Sequence, residues 1–248
     1  MALVVDHTLV VNVLKITVID LVLSGDNAVV IAMAVRSLPK DIARKASIFG
    51  AAVAVTLRIG FTAVAALLLH VPFLQAVGGT ILFWIAYKLL IEEEEGEDRP
   101  GEIRDFWEAV RIIVLADLVM SLDNILAVGG AAEGNLWLML FGLALSIPLV
   151  LFGSSILASL LQRWPALAYI GSGVLAWTAG RMVVHDEILH KYLLQLNIPQ
   201  MEMVLPAIAT AVVIGAGYLA SQRKAAERAS RPDDKSTPVA EAAGSENL

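Results

Sequence analysis

The 248-residue chain contains no cysteine. That excludes disulfides, thiolate metal centres and cysteine nucleophiles, and it removes any redox cue to the compartment. Charge is also scarce, at 17% of residues against 58% hydrophobic ones, with a mean hydropathy of +0.74. A soluble domain of this length would not need so much apolar surface, so the class is an all-α integral membrane protein with several spans. No nucleotide-binding glycine loop, nucleophile triad or nucleic-acid patch occurs in the chain. The expectation is therefore not an enzyme, with no nucleic-acid partner and no obligatory cofactor. The net charge of −6 comes mostly from one acidic loop and says little about partners. Met1 to Leu14 has no basic n-region and no cleavage signature, and reads as an exterior lead-in rather than a signal peptide.

What the chain does have is one stretch that occurs twice. Asp20-Leu21-Val22-Leu23-Ser24-Gly25-Asp26-Asn27 recurs as Asp117-Leu118-Val119-Met120-Ser121-Leu122-Asp123-Asn124, identical at six of eight positions and offset by 97 residues. Each copy sits in a long apolar run, where a carboxylate costs about 2.5–3.5 kcal/mol to insert. Four such carboxylates, with two Asn and two Ser in register, imply a compensating gain. On an ideal helix Asp20, Ser24 and Asn27 share one face, as do Asp117, Ser121 and Asn124. Asp26 and Asp123 point about 120° away. Either the helix is distorted near Ser24-Gly25 or each motif presents ligands to two sides. Gly25 permits a break that Leu122 does not require. Carboxylate, amide and hydroxyl oxygens suit Mg²⁺, Ca²⁺ or Mn²⁺. The candidate metal ligands are thus Asp20, Asp26, Asn27, Asp117, Asp123 and Asn124, with Ser24, Ser121 and Arg58 as accessories.

Seven apolar runs are long enough to cross about 30 Å of hydrocarbon, at 15–35, 46–69, 73–91, 109–131, 136–160, 166–184 and 203–221. Between them lie a lead-in at 1–14, an acidic loop at 92–106, a polar connection at 185–202 and a tail at 222–248 whose composition predicts disorder. Lys and Arg cluster at 36–45, at the ends of 88–111, at Arg163 and at Arg223 to Arg231. These segments alternate correctly if all are cytoplasmic, which puts the N-terminus outside and the C-terminus inside. The duplication also exceeds the motif. Phe49-Gly50 matches Phe141-Gly142, and Gly78, Trp84 and Lys88 match Gly171, Trp177 and Arg181. The unit is three helices, 15–91 and 107–184, and an odd number of crossings inverts the second copy. The expected fold is a 3+3 inverted repeat plus one C-terminal helix.

Arg58 lies mid-way along the second span, and its repeat counterpart is apolar. It is expected to pair with one Asp and lower the repulsion of an empty site, or to form a fixed ion pair with no transport role. His7, His70, His185 and His190 fall toward the exterior, where with Asp186 and Glu187 they form either an outer metal vestibule or ordinary loop surface. Trp107, Trp137 and Trp164 are placed as interfacial anchors, and Trp84 and Trp177 as packing residues.

The doubled Asp-Leu-x-x-Ser-x-Asp-Asn stretch, with the seven-span layout, resembles the TerC family of integral membrane proteins in the wider lysine-exporter-like superfamily. The resemblance covers about residues 8–222 and is strongest to compact members without extra soluble domains. It implies export of divalent metal, chiefly Mn²⁺, across the bacterial plasma (inner) membrane. It places the family's acidic transport residues on Asp20, Asp26, Asp117 and Asp123, beside Asn27 and Asn124. Partners implied are the lipid bilayer, the divalent cation, and secretion machinery or exported metalloenzymes that receive the metal. The open alternatives are an assembly or scaffold factor with a structural metal, and a Ca²⁺ or Mg²⁺ carrier.

Overall fold

A computed structural model describes residues 7–63, 71–95, 102–131, 136–195 and 200–230. Among them are nine α-helices and no strand. In chain order these are α1 (His7–Leu23), α2 (Gly25–Val35), α3 (Lys40–Ala63), α4 (Leu74–Glu95), α5 (Glu102–Ala131), α6 (Leu136–Arg163), α7 (Leu167–His185), α8 (Glu187–Gln195) and α9 (Met201–Ser230).

Among the described residues, four helices contain segments long and apolar enough to cross a bilayer: Leu74–Ile91, Ala144–Arg163, Leu167–His185 and Met201–Arg223. A fifth candidate is the bent pair Val11–Leu23 and Gly25–Val35, whose halves meet at 54°. Helices α3 and α5 do not meet the same measure. Their described residues include Arg44, Lys45 and Arg58 in α3, and Glu108, Arg111 and Asp117 in α5.

The core is helix on helix. One cluster joins α2, α4, α5, α7 and α9 through side chains such as Val30, Leu82, Ile85, Met120, Leu175 and Val213. A second joins α2, α3 and α5 through Ile31, Val35, Ala46, Val110 and Ile113. Outward-facing side chains are largely apolar too, with Val22, Phe152 and Trp137 about 70% exposed (74%, 69% and 72%). Such a surface would aggregate in water and is matched to lipid. Trp84 and Trp177, expected as packing residues, stand partly exposed on this outer surface, at 51% and 39%. Small residues carry the interior packing instead. A Cβ on Gly79 would lie 2.6 Å from the Ala179 carbonyl, so α4 meets α7 almost backbone to backbone.

Several helices run past the expected span ends. Helix α1 begins at His7, inside the supposed lead-in. The 92–106 loop is helical to Glu95 and again from Glu102, and α9 continues to Ser230 in the supposed tail. Glu, Lys, Ala and Arg are strong helix formers, so a helix already nucleated by an apolar span extends through them. The 185–202 connection contains α8. Asp186 starts it: Oδ1 accepts the amides of Ile188 (3.1 Å) and Leu189 (3.3 Å), while Oδ2 accepts the Ala76 amide of α4 (3.2 Å). Asp186→Ala is therefore expected to cost about 1–2 kcal/mol, the range of a lost N-cap. Hydrogen exchange along α8 should accelerate, with Asp186→Asn milder because its amide oxygen still accepts.

Candidate cation site

The two copies of the repeated stretch are built differently. The first is broken: α1 ends at Leu23, Ser24 takes φ −99° and ψ 12°, and α2 begins at Gly25. The second, Asp117 to Asn124, lies inside the continuous helix α5. Of the two arrangements the sequence allowed, a distortion at Ser24-Gly25 is found in the first copy only.

The break opens on a cavity of about 40 Å³ between α1, α2, α3, α5 and α6. That is room for a few waters or a partly hydrated ion. Its polar lining is Asp20, Ser24, Asn27, Arg58, Asp117 and Ser146, set in a wall of aliphatic side chains from the same helices. The spacing of Asp20, Ser24 and Asn27 puts all three on the cavity, each 5% exposed or less.

Arg58 of α3 is the centre of the network. Its Nη1 donates to Asp20 Oδ1 at 2.9 Å, and its Nη2 donates to Asp117 Oδ1. The guanidinium thus bridges one carboxylate from each copy of the motif, where the sequence reading had it paired with one. Ser146 Oγ of α6 donates to Asp20 Oδ2. Asn27 Nδ2 donates to Asp117 Oδ1 at 3.1 Å, and Ser121 Oγ donates to Asp117 Oδ2 at 3.3 Å. In this cavity, two buried oxygens have no partner among the described residues: Asn27 Oδ1 and Ser24 Oγ. A buried acceptor left unmade costs about 1–3 kcal/mol. Both residues line the same cavity, so a cation entering it would find acceptors already desolvated.

The structure does not bring every candidate together. Asp26 is partly exposed in the first turn of α2, accepts the Asn27 amide on its Oδ1 at 3.0 Å, and is not part of the cavity lining. The side chains of Asp123 and Asn124 lie outside the described residues, as do those of His7 and His70. His185 and His190 stack with ring centroids 6.5 Å apart, and His185 Nδ1 lies 2.8 Å from the Arg181 carbonyl. No group of three or more His, Asp or Glu placed to hold a metal occurs among the described residues, at the outer end or elsewhere. Ser146 was missed. It reads as an isolated hydroxyl in an apolar run, and only its position one helical turn before Val150, the repeat counterpart of Arg58, marks it.

A family model described as "Integral membrane protein TerC family" matches residues 5–225. The chain belongs to the TerC family. It is 44% identical over 209 residues to the "Uncharacterized membrane protein YjbE" of Bacillus subtilis, covering 84% of this chain and 94% of that protein. It is 26% identical to "Uncharacterized membrane protein YkoY" of the same organism, over 66% of this chain and 56% of that one. Likeness extends to "UPF0053 inner membrane protein YgdQ" of Escherichia coli K12, at 23% identity over 71% of this chain and 81% of YgdQ. No solved structure matches. The cavity on which Asp20 and Asp117 of the two repeated stretches meet lies inside the region that the TerC family model covers.

Proposed function

We propose that the protein is a divalent-cation carrier, a Mn²⁺ exporter of the bacterial inner membrane, working by alternating access. One observation carries the reading: carboxylates from the two copies of the motif converge on a cavity that also presents two buried, unpartnered oxygen acceptors. Two carboxylates match the charge of a divalent ion, and the oxygen-only donor set favours Mn²⁺, Mg²⁺ or Ca²⁺ over softer metals.

The carrier would have seven spans in a 3+3 inverted repeat plus α9, with α1 and α2 as one broken span. Support comes from packing that survives exchange of the halves. Gly50 of α3 abuts Ile113 of α5, and its repeat partner Gly142 of α6 abuts Ile16 of α1. Ile16 and Ile113 each stand four residues before the motif's first Asp. Such exchange is what rocking one repeat against the other requires. The N-terminus would be exterior and the C-terminus cytoplasmic, from the Lys and Arg distribution. YgdQ of Escherichia coli, named as an inner membrane protein, supports the location.

The test is Mn²⁺ flux in proteoliposomes, with Ca²⁺, Mg²⁺ and Zn²⁺ as competitors. Saturable flux that Mn²⁺ itself competes for best is expected. An imposed pH gradient should alter the rate if protons return on the empty carrier, and a rate indifferent to that gradient would remove the antiport part. The alternative, a membrane assembly factor, draws on Arg58 as a clasp between α1, α3 and α5. Absence of any flux from folded wild type would favour it. Release of the metal to exported enzymes or secretion machinery is a further part of the carrier reading.

A further inference from the structure

The Arg58 guanidinium stands between the two carboxylates that a transported cation would need. It donates to Asp20 and Asp117 at once, and it is 7% exposed. Ionised, the three groups sum to −1, because two carboxylates contribute −2 and the guanidinium +1. A divalent ion on both carboxylates with Arg58 still bridging them would bring the sum to +1, with two cations a few ångströms apart in a largely apolar cavity. Like charges at that distance in a low-dielectric site repel strongly. Arg58 and a divalent ion therefore exclude one another. Without either, two carboxylates would stand buried and unneutralised, a state that is strongly disfavoured.

We infer that Arg58 is a tethered counter-cation that holds the Asp20–Asp117 pair in the empty carrier and is displaced by the incoming divalent ion. The inference rests on the carrier reading and adds how the empty protein returns. The guanidinium covers one of the two charges during that step, leaving at most one for a proton. The repeat assigns this role to one half only. Val150, the counterpart of Arg58, lines the same cavity, and on that side Asp20 receives the neutral Ser146 hydroxyl.

The experiment compares wild type, Arg58→Gln and Arg58→Lys, reconstituted after size-exclusion shows each to be folded. Mn²⁺ binding is measured by titration, and ⁵⁴Mn²⁺ is used to separate Mn²⁺/Mn²⁺ exchange from net flux. Exchange bypasses the empty return step, and net flux does not. Arg58→Gln should bind Mn²⁺ about tenfold more tightly, because the competing cation is gone. Its ratio of exchange to net flux should rise by about tenfold, because the empty site is now unneutralised. Arg58→Lys, which keeps the charge, should move both values back toward wild type. A purely structural arginine predicts otherwise: exchange and net flux falling together, affinity unchanged or weaker, and no rescue by lysine. That result would overturn the inference while leaving the carrier intact. Wild type that neither binds nor moves Mn²⁺ would overturn the carrier reading itself. If Arg58→Gln does not fold, Arg58→Met, which keeps much of the length of the side chain and removes its charge, replaces it in the same two measurements. Tighter Mn²⁺ binding with a raised exchange-to-net ratio supports the inference, and exchange and net flux falling together with unchanged or weaker affinity opposes it.

Discussion

Asp20→Asn and Asp117→Asn should each abolish Mn²⁺ flux, by about a hundredfold or more, in protein that still folds. Loss of an outer partner of a metal ligand typically costs about 10–100-fold, and loss of a charged ligand itself costs at least as much. Each substitution also halves the negative charge available to a divalent ion. The isosteric amide keeps most of the hydrogen bonding: at position 117 its single oxygen can still accept from both Arg58 and Asn27, and at position 20 it can accept from Arg58 while its NH₂ donates to a turned Ser146 hydroxyl. Replacement by Ala would be a poorer test, because removing one partner of a buried ion pair costs about 3–5 kcal/mol of stability. Asp26→Asn is the informative contrast. Asp26 is partly exposed and off the cavity, so its effect on flux should be smaller than that at Asp20 or Asp117. Equal losses at all three positions would show that Asp26 acts at the site in another state of the carrier, as the helical spacing allowed. Proteoliposome flux normalised to reconstituted protein decides between these outcomes.

The second large effect is steric. Gly180→Leu should unfold or severely destabilise the protein. A Cβ on Gly180 would lie 2.5 Å from Pro206 Cα and 3.0 Å from Pro206 N, which are backbone atoms of α9. A flexible side chain could turn aside, but a backbone can yield only if α9 withdraws from α7. Pro206 is fully buried at that crossing, so withdrawal would expose its surroundings along the interface. Overpacking a tight interior commonly costs about 1–3 kcal/mol and more where backbone must move, so a loss of at least about 3 kcal/mol is expected. For a chain of this size that corresponds to a Tm lower by about 6–12 °C. The control is Gly153→Ala in α6, where an added Cβ meets nothing within 4 Å. It should be neutral or slightly stabilising, since alanine is the better helix former. Thermal unfolding in detergent, followed by monodispersity, separates the two. Similar Tm values for Gly180→Leu and Gly153→Ala would mean that α7 and α9 are not in backbone contact at Gly180.

Much of this was legible in the chain. Scarcity of charge and long apolar runs specify helices in lipid, because a bilayer leaves the backbone few other ways to satisfy its hydrogen bonds. The 97-residue offset between the two Asp stretches identifies Asp20 and Asp117 as equivalent, and helical spacing places Ser24 and Asn27 with Asp20. These are local properties of period and composition. Helix ends were less legible, since Glu-, Lys- and Ala-rich segments extend a helix beyond the hydrocarbon.

Tertiary structure alone decided the rest. Arg58 is 38 residues from Asp20 and 59 from Asp117, and Ser146 is 126 residues from Asp20. No periodicity spans such distances, so only the packing of α1, α3, α5 and α6 could show that one arginine holds both carboxylates. The same holds for Gly180 against Pro206, and for the break that bends the first motif while the second stays straight. Sequence determined which residues were costly to place in a membrane, because that cost belongs to each side chain; the fold decided which of them neutralise one another, because that depends on distance across helices.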